Sequence, residues 1–189
     1  MHSNDFALAL TRALTSAEIG KLTHLADRPR ATLAHAHEAR LMDISGSYTF
    51  DAPPDRVWAL LMDPAVISSC IPGCSSFEPD GENRYRARLT VALAAITGAY
   101  EGTVTVSEQM PPTSYRLVAE GQGRPGFVRG SSVITLRADG VSTIVDVAGT
   151  VQTGGVIARL GQRLIGGVSK MMLDLFFTCL QGKLAAGAG

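Results

Sequence analysis

The sequence predicts an α+β fold in which a curved antiparallel β-sheet wraps around one long C-terminal helix. Between Ser75 and Val151, apolar and polar side chains alternate over successive segments separated by turn residues, which is typical of antiparallel strands covered on one face. From Gly154 to Leu184, apolar side chains instead recur at the spacing of an amphipathic helix. A chain of 189 residues is long enough to bury one core between these two layers.

The composition excludes several classes of protein. Lysine and arginine number 17, as do aspartate and glutamate, so the chain lacks the basic excess that is usual in nucleic-acid-binding proteins. No stretch reaches the roughly 18 uninterrupted apolar residues of a membrane span, and Phe6–Leu10 lacks the length and the preceding basic residues of a signal peptide. We therefore expect a cytoplasmic protein whose cysteines, Cys70, Cys74 and Cys179, are thiols.

Residues 1–41 differ from the rest of the chain, and we expect them to form an N-terminal extension that is partly helical or disordered. All four histidines lie there, but His35 and His37 are two residues apart and would not share a helix face, so we predict no metal site. The folded domain is expected over residues 42–184, with a short tail over 185–189.

The domain opens with a strand and two short helices. Asp43–Phe50 alternates as a strand, and Asp55 can cap a helix that begins at Arg56. A second short helix is predicted from Pro64 to about Cys70, because proline favours the first helical position. Six strands follow, with turns at Asp80–Gly81, Pro111–Pro112, Gly121–Gly126 and Asp139–Gly140. The expected order is therefore β-α-α-β-β-β-β-β-β-α.

An apolar cavity is expected between the sheet and the long helix. Small residues recur along the strands and aromatic residues make up only 6% of the chain, so the two layers do not fill the space between them. Gly161, Gly166 and Gly167 within the helix either allow close packing on the sheet or leave room for a ligand, and the two interpretations are compatible. The residues predicted to line the cavity are Leu89, Val91, Val104, Leu117, Val145, Leu164, Val168, Met171 and Leu175.

Catalytic and metal-binding motifs are absent from the sequence after residue 41. No histidine follows His37, which excludes a Ser-His-Asp or Cys-His site in the domain and histidine-ligated metals. Cys70 and Cys74, even with Cys179, lack a fourth ligand. The sequence of Gly121–Gly126 matches the dinucleotide-binding pattern G-x-G-x-x-G. However, the segment lies between two predicted strands, and no helix follows it that could bind a phosphate, so a hairpin turn is predicted.

The orientation of the Asp146 side chain distinguishes two alternatives, a binding protein and an enzyme. If its side chain faced the cavity, it could act as a general base together with a tyrosine. We expect Val145 and Val147 to face inward instead, which leaves Asp146 solvated. A charged outer face, either simply solvated or a partner-docking surface, is expected from Arg86, Arg88, Arg116 and Glu120. A third alternative is an adaptor with a filled core and no ligand.

Several motifs resemble one family. They are Asp51–Pro64, Cys70–Cys74, Glu120–Gly123 with Gly126–Phe127, Val151–Gly155, and Arg159–Ile165 with Phe176–Phe177. Together they resemble the CoxG family of carbon monoxide dehydrogenase subunits, which belongs to the SRPBCC (START-like) superfamily. The resemblance implies a helix-grip fold and a non-enzymatic accessory protein that binds an apolar ligand, such as an isoprenoid quinone or a lipid.

The resemblance also implies partners and a place in the cell. The partner is a CO dehydrogenase-like molybdenum hydroxylase, which the protein helps to recruit to the inner face of the cytoplasmic membrane or to couple to quinone. The extension before Met42 lies outside the family pattern. Some members carry an apolar tail after the last helix, whereas this chain ends at Gly189, so we expect transient membrane contact.

Overall fold

The computed structural model describes residues 40–92 and 96–187, and its elements follow the predicted order. They are β1 (Arg40–Phe50), α1 (Pro54–Leu61), α2 (Pro64–Cys70), β2 (Cys74–Pro79), β3 (Arg84–Val91), β4 (Gly98–Met110), β5 (Ser114–Gly123), β6 (Gly126–Asp139), β7 (Ser142–Gly155), a 3-10 turn (Ile157–Arg159) and α3 (Gln162–Ala186). The predicted extension 1–41 lies outside the described residues except for its last two positions, which belong to β1.

The strands form one antiparallel sheet in the order β1-β7-β6-β5-β4-β3-β2. Strands β2 to β7 are a meander in which each strand pairs with the next, and β1 pairs with β7 at the far edge. Ile44, Tyr48 and Phe50 of β1 lie on the face that also carries Val145 and Val147 of β7. This arrangement confirms the predicted α+β class with a sheet and a long C-terminal helix.

The two short helices connect the edges of the sheet. Helix α2 begins at Pro64 as predicted, and Asp63 caps it, because its Oδ1 accepts hydrogen bonds from the amides of Ala65 and Val66 at 2.9 and 3.3 Å. The cap predicted for α1 is wrong: α1 begins at Pro54, after Pro53, so Asp55 lies inside its first turn. An acidic side chain there still interacts favourably with the helix dipole.

The long helix begins later than predicted, at Gln162 instead of Gly154. Strand β7 continues to Gly155 because its last residues pair with the start of β6, with Thr153 opposite Val128, and these backbone groups are therefore already satisfied in the sheet. The amide of Val156 then donates to the carbonyl of Pro125 at 2.8 Å. Strand β5 likewise runs to Gly123, so the turn predicted over Gly121–Gly126 is only two residues long.

The C-terminal half of α3 packs on the main core. Leu180 is completely buried, and Phe177 is 3% exposed. The Phe177 ring stacks on Tyr48 of β1 with their centroids 4.0 Å apart, and it meets the edge of Phe50. Val57 of α1 belongs to the same cluster. This half of the helix is thereby fixed to β1 and to the two short helices.

A disulfide bond joins Cys70 at the end of α2 to Cys179 in α3, which corrects the prediction that both are thiols. That prediction rested on the expected compartment and not on geometry. In the fold, the two Cα atoms lie 5.4 Å apart, a separation typical of disulfides. Cys74 is the free cysteine.

Candidate ligand-binding site

A cavity of about 670 Å³ lies between the inner face of the sheet and the N-terminal half of α3. Its volume falls within the range of small-molecule sites, and its lining is mostly apolar. Small residues on the strands make the space. A Cβ atom added at Gly121 would meet nothing within 4 Å, and one added at Gly130 would meet only ordinary contacts beginning at 3.7 Å. The absence of side chains at Gly121 and Gly130 therefore leaves space for the cavity on the inner face of the sheet.

Seven of the nine residues predicted to line the cavity do lie on its wall. They are Leu89, Val91, Val104, Leu117, Leu164, Val168 and Met171. The other two lie elsewhere: Val145 is fully buried in the main core, and Leu175 is 50% exposed on α3. Whether the seven contact a ligand stays a prediction.

Further lining residues were missing from the sequence-based set. They include Ile44, Tyr100, Val128, Val151, Thr153, Ile157 and Ile165. Ile157 and Ile165 were assigned to one continuous helix, but the structure places Ile157 in the 3-10 turn and Ile165 in the first turn of α3, where both line the cavity. The alternation of side chains along β7 places Val151 and Thr153 on the same inner face as Val147, so the sequence alone could have identified both as lining residues.

Few polar side chains face this space. The Tyr100 hydroxyl donates to the carbonyl of Ile96 at 2.9 Å, and burial raises the pKa of Tyr100. Glu101 borders the cavity through its backbone, since its carboxylate pairs with Arg88 at 2.9 Å on the outer face. Thr153 is 2% exposed, and its Oγ1 has no hydrogen-bond partner among the described residues.

Asp146 lies on the outer face of the sheet, where the preferred interpretation placed it. Its Oδ2 accepts a hydrogen bond from Arg137 Nε at 3.3 Å. Hydrogen bonding to Ser47 on the neighbouring strand, and then to Arg137, holds the pKa of Asp146 below its usual range. A general base needs a pKa near the working pH and access to substrate, so the Asp146–tyrosine pair required by the enzymatic alternative does not exist in the cavity.

Tyr48 and Asp174 join β1 to the middle of α3. The Tyr48 hydroxyl donates to Asp174 Oδ1 at 2.9 Å, and Lys170 Nζ donates to Oδ2 at 2.7 Å. Burial, followed by the bond to Asp174, raises the pKa of Tyr48 to about 12. The bonds from Lys170 and then Tyr48 lower the pKa of Asp174. This network orients the helix over the cavity edge.

The other charged residues predicted on the outer face form ion pairs there. Arg86 binds Asp80, Arg88 binds Glu101, Arg116 binds Glu108, and Glu120 binds Arg129. Within residues 40–92 and 96–187, no group of three His, Cys, Asp or Glu side chains is arranged to hold a metal ion.

Three arginines, which we call the arginine rim, lie in the β5–β6 turn and in the segment that leads into and begins α3: Arg124, Arg159 and Arg163. Each is exposed, and none has an ion-pair partner in the described part of the chain. Arg163 also lines the cavity. Val156, which is 49% exposed, lies among them, because its amide bonds to Pro125 next to Arg124.

Helix α3 is long and apolar enough, by those two criteria alone, to cross a membrane. The core helix of a globular domain passes the same test, and Phe177, Leu180 and Leu184 of this helix are buried in the core. Its opposite flank is apolar as well: Leu164, Met171 and Leu175 are exposed. The helix therefore has a core face and an unpartnered apolar flank.

Comparison with known proteins identifies relatives of this chain. A family model for CoxG, a subunit of carbon monoxide dehydrogenase, matches residues 46–185. The crystal structure of a conserved protein from Geobacillus kaustophilus is 36% identical with a TM-score of 0.75, covering 77% of this chain and 96% of that one. No curated protein sequence matches the chain.

More distant structures share the fold alone. The Zhui aromatase/cyclase from Streptomyces sp. R1128 has a TM-score of 0.60 at 14% identity, covering 79% of this chain and 97% of that chain. Protein TTHA0849 from Thermus thermophilus has a TM-score of 0.59 at 16% identity, covering 78% of this chain and 100% of that chain. These neighbours confirm the helix-grip architecture.

Proposed function

We propose that this chain, which belongs to the CoxG family of carbon monoxide dehydrogenase subunits, is a non-enzymatic carrier of an apolar ligand that serves a CO dehydrogenase-like molybdenum hydroxylase. The observation that carries the proposal is the apolar cavity of about 670 Å³ under α3. An empty apolar cavity of this size is costly to maintain. A ligand that fills it stabilises the folded chain through the hydrophobic effect.

The ligand we propose is an isoprenoid quinone or a related lipid. Leu89, Val104, Leu117 and Val168 present aliphatic surface on both the sheet and the helix side of the cavity. Such a wall favours a flat or branched hydrocarbon, and each square ångström of apolar surface removed from water contributes about 25 cal/mol. A quinone would link the hydroxylase to the electron acceptor pool of the membrane.

Membrane contact is proposed through the arginine rim and the apolar flank. Arginines without ion-pair partners are attracted to anionic lipid headgroups, by about 1 kcal/mol for each residue near the surface. Val156 and Leu164 lie beside them and are about half exposed, so they can enter the interfacial region. Because Arg163 and Leu164 also line the cavity, this contact would bring the cavity opening to the lipid. We place the protein at the inner face of the cytoplasmic membrane.

Extraction tests the carrier proposal. The protein is purified gently from its producing cells and extracted with organic solvent, and the extract is analysed by mass spectrometry. We expect about one quinone or lipid for each chain. Gly121→Leu should remove it, because its side chain enters open space inside the cavity. Gly182→Leu is the matched control, since Gly182 is exposed and outside the cavity.

A clean wild-type extract, repeated after incubation with membranes, would contradict the carrier proposal and favour the ligand-free adaptor. The partner is tested separately by affinity purification of the tagged chain, which should recover the subunits of a molybdenum hydroxylase. Gly121→Leu should still recover them, because the substitution changes the cavity and not the outer surface.

A further inference from the structure

We infer that Arg163 holds the polar head of the ligand at the mouth of the cavity, so that a quinone lies with its ring at the opening and its hydrocarbon tail inside. The inference rests on the proposed function, because it needs a lipid in the cavity. It adds the orientation of that lipid, and it makes Arg163 a positioning residue that selects ligands with a hydrogen-bond acceptor at one end.

The mouth of the cavity lies along the first half of α3. Four lining residues on this helix are exposed, namely Arg163, Leu164, Gly167 and Met171. A Cβ atom added at Gly167 would meet nothing within 4 Å, so this flank of the helix borders open space. By contrast, Val147 and Val151 of β7 line the cavity and are buried. The cavity therefore has a buried apolar end and an open end beside Arg163.

Arg163 is the charged lining residue whose charge is not compensated in the described part of the chain. The other two are Glu101, which pairs with Arg88 at 2.9 Å, and Glu120, which pairs with Arg129 at 2.6 Å. None of the ion pairs found among residues 40–92 and 96–187 involves Arg163. Its guanidinium carries five N–H donors, which are free to bind an acceptor at the mouth.

The interior offers weaker partners for a carbonyl oxygen. The Tyr100 hydroxyl already donates to the carbonyl of Ile96, and the Thr153 hydroxyl oxygen is enclosed within the wall. Ser132 supplies one neutral donor on the wall, where it is 8% exposed. A hydrogen bond from a charged donor is stronger than one between neutral groups. The tail has no polar group, so it gains most by entering the apolar interior.

Calorimetric titration without membranes measures the contribution of Arg163. One probe is a naphthoquinone with two isoprenoid units, and the other is the naphthalene hydrocarbon with the same substituent. Arg163→Met, which removes the donors, should weaken quinone binding about twofold to fivefold and leave hydrocarbon binding unchanged. Arg163→Lys should retain most of the quinone affinity, because it keeps a charged donor. Lys183→Met is the control and should change neither affinity, since Lys183 is exposed on the same helix outside the cavity.

Photo-crosslinking locates the head of the ligand directly. A naphthoquinone with the same tail and an azide on its ring is bound to the wild-type protein and illuminated, and the labelled residues are identified by tandem mass spectrometry. We expect labels at Leu164 and Gly167 beside the mouth, which excess unlabelled quinone should suppress. Labels at Ser132 or Val151 would place the head in the interior and overturn the inference.

Two titration results would also overturn it: equal weakening of both probes in Arg163→Met, or unchanged quinone affinity in that variant. A wild-type protein that binds neither probe would contradict the proposed function, and the inference would fall with it. Binding of both probes that Gly121→Leu abolishes and Arg163→Met leaves intact would contradict the role of Arg163 alone.

Discussion

Replacing Leu180 by alanine should destabilise the protein far more than replacing Leu175, although both lie on α3. Leu180 is 0% exposed in the main core, whereas Leu175 is 50% exposed on the apolar flank. Burial of Leu180 predicts a loss of about 2–5 kcal/mol in the free energy of unfolding, from the lost transfer energy and the cavity left behind. For Leu175 we expect a change of about 0.5 kcal/mol or less. Leucine and alanine have similar helix propensities, so the helix itself contributes little to the difference.

Urea unfolding followed by circular dichroism measures both variants, with the disulfide bond intact. The slope of free energy against urea concentration should stay the same, so that the shift in midpoint reports stability alone. The loss for Leu180→Ala would be a large share of the total stability of a small domain, which is about 5–15 kcal/mol. Similar losses for the two variants would refute the assignment of one core face and one unpartnered flank to α3.

Three further predictions concern other contacts of the fold. Thiol titration of the native protein should detect Cys74 alone, and three reactive thiols before reduction would contradict the disulfide. Reduction or Cys179→Ser should lower the free energy of unfolding by about 4 kcal/mol, since the bond joins residues 109 apart in sequence. Because burial, followed by the bond to Asp174, raises the pKa of Tyr48 to about 12, the folded chain holds the phenol proton more tightly than the unfolded chain does, and stability should fall as pH rises from about 10 to 12. Tyr48→Phe should reduce that fall, and a pH profile identical to that of the wild type would count against the raised pKa of Tyr48. Replacing all three residues of the arginine rim by glutamine should weaken binding to anionic vesicles, measured by co-sedimentation, roughly tenfold to a hundredfold and leave the free energy of unfolding unchanged. Equal binding by the variant and the wild type would exclude the arginine rim as the membrane-contacting surface.

The order of elements could be predicted because local patterns agree with the fold. Alternation along β1 and β7 placed Tyr48 and Val145 inward, and proline at the first helical position placed the start of α2. The start of α3 could not be predicted from apolar periodicity. Val156 and Ile157 fit a helical stripe, and only pairing of the preceding residues with β6, a contact distant in sequence, shows that the strand continues.

The cavity itself could be predicted from small residues on the strands, but its lining could be identified only in part. Parity along a strand tells which face a residue occupies and not how far along the cavity it lies. Val145 faces inward as predicted, yet it lies at the end where Phe177 fills the space. The pairing of Cys70 with Cys179 depends on α2 packing against α3, which no spacing in the sequence reveals.

The most direct test of the central claim is ligand uptake from a bilayer. Delipidated protein is incubated with vesicles that contain a tailed quinone, separated from the vesicles, and assayed for bound quinone. The carrier account predicts about one quinone for each wild-type chain and almost none for Gly121→Leu, which closes the cavity floor. Absence of quinone from the wild-type protein, or equal amounts on both proteins, would contradict the claim that the space under α3 is a binding site.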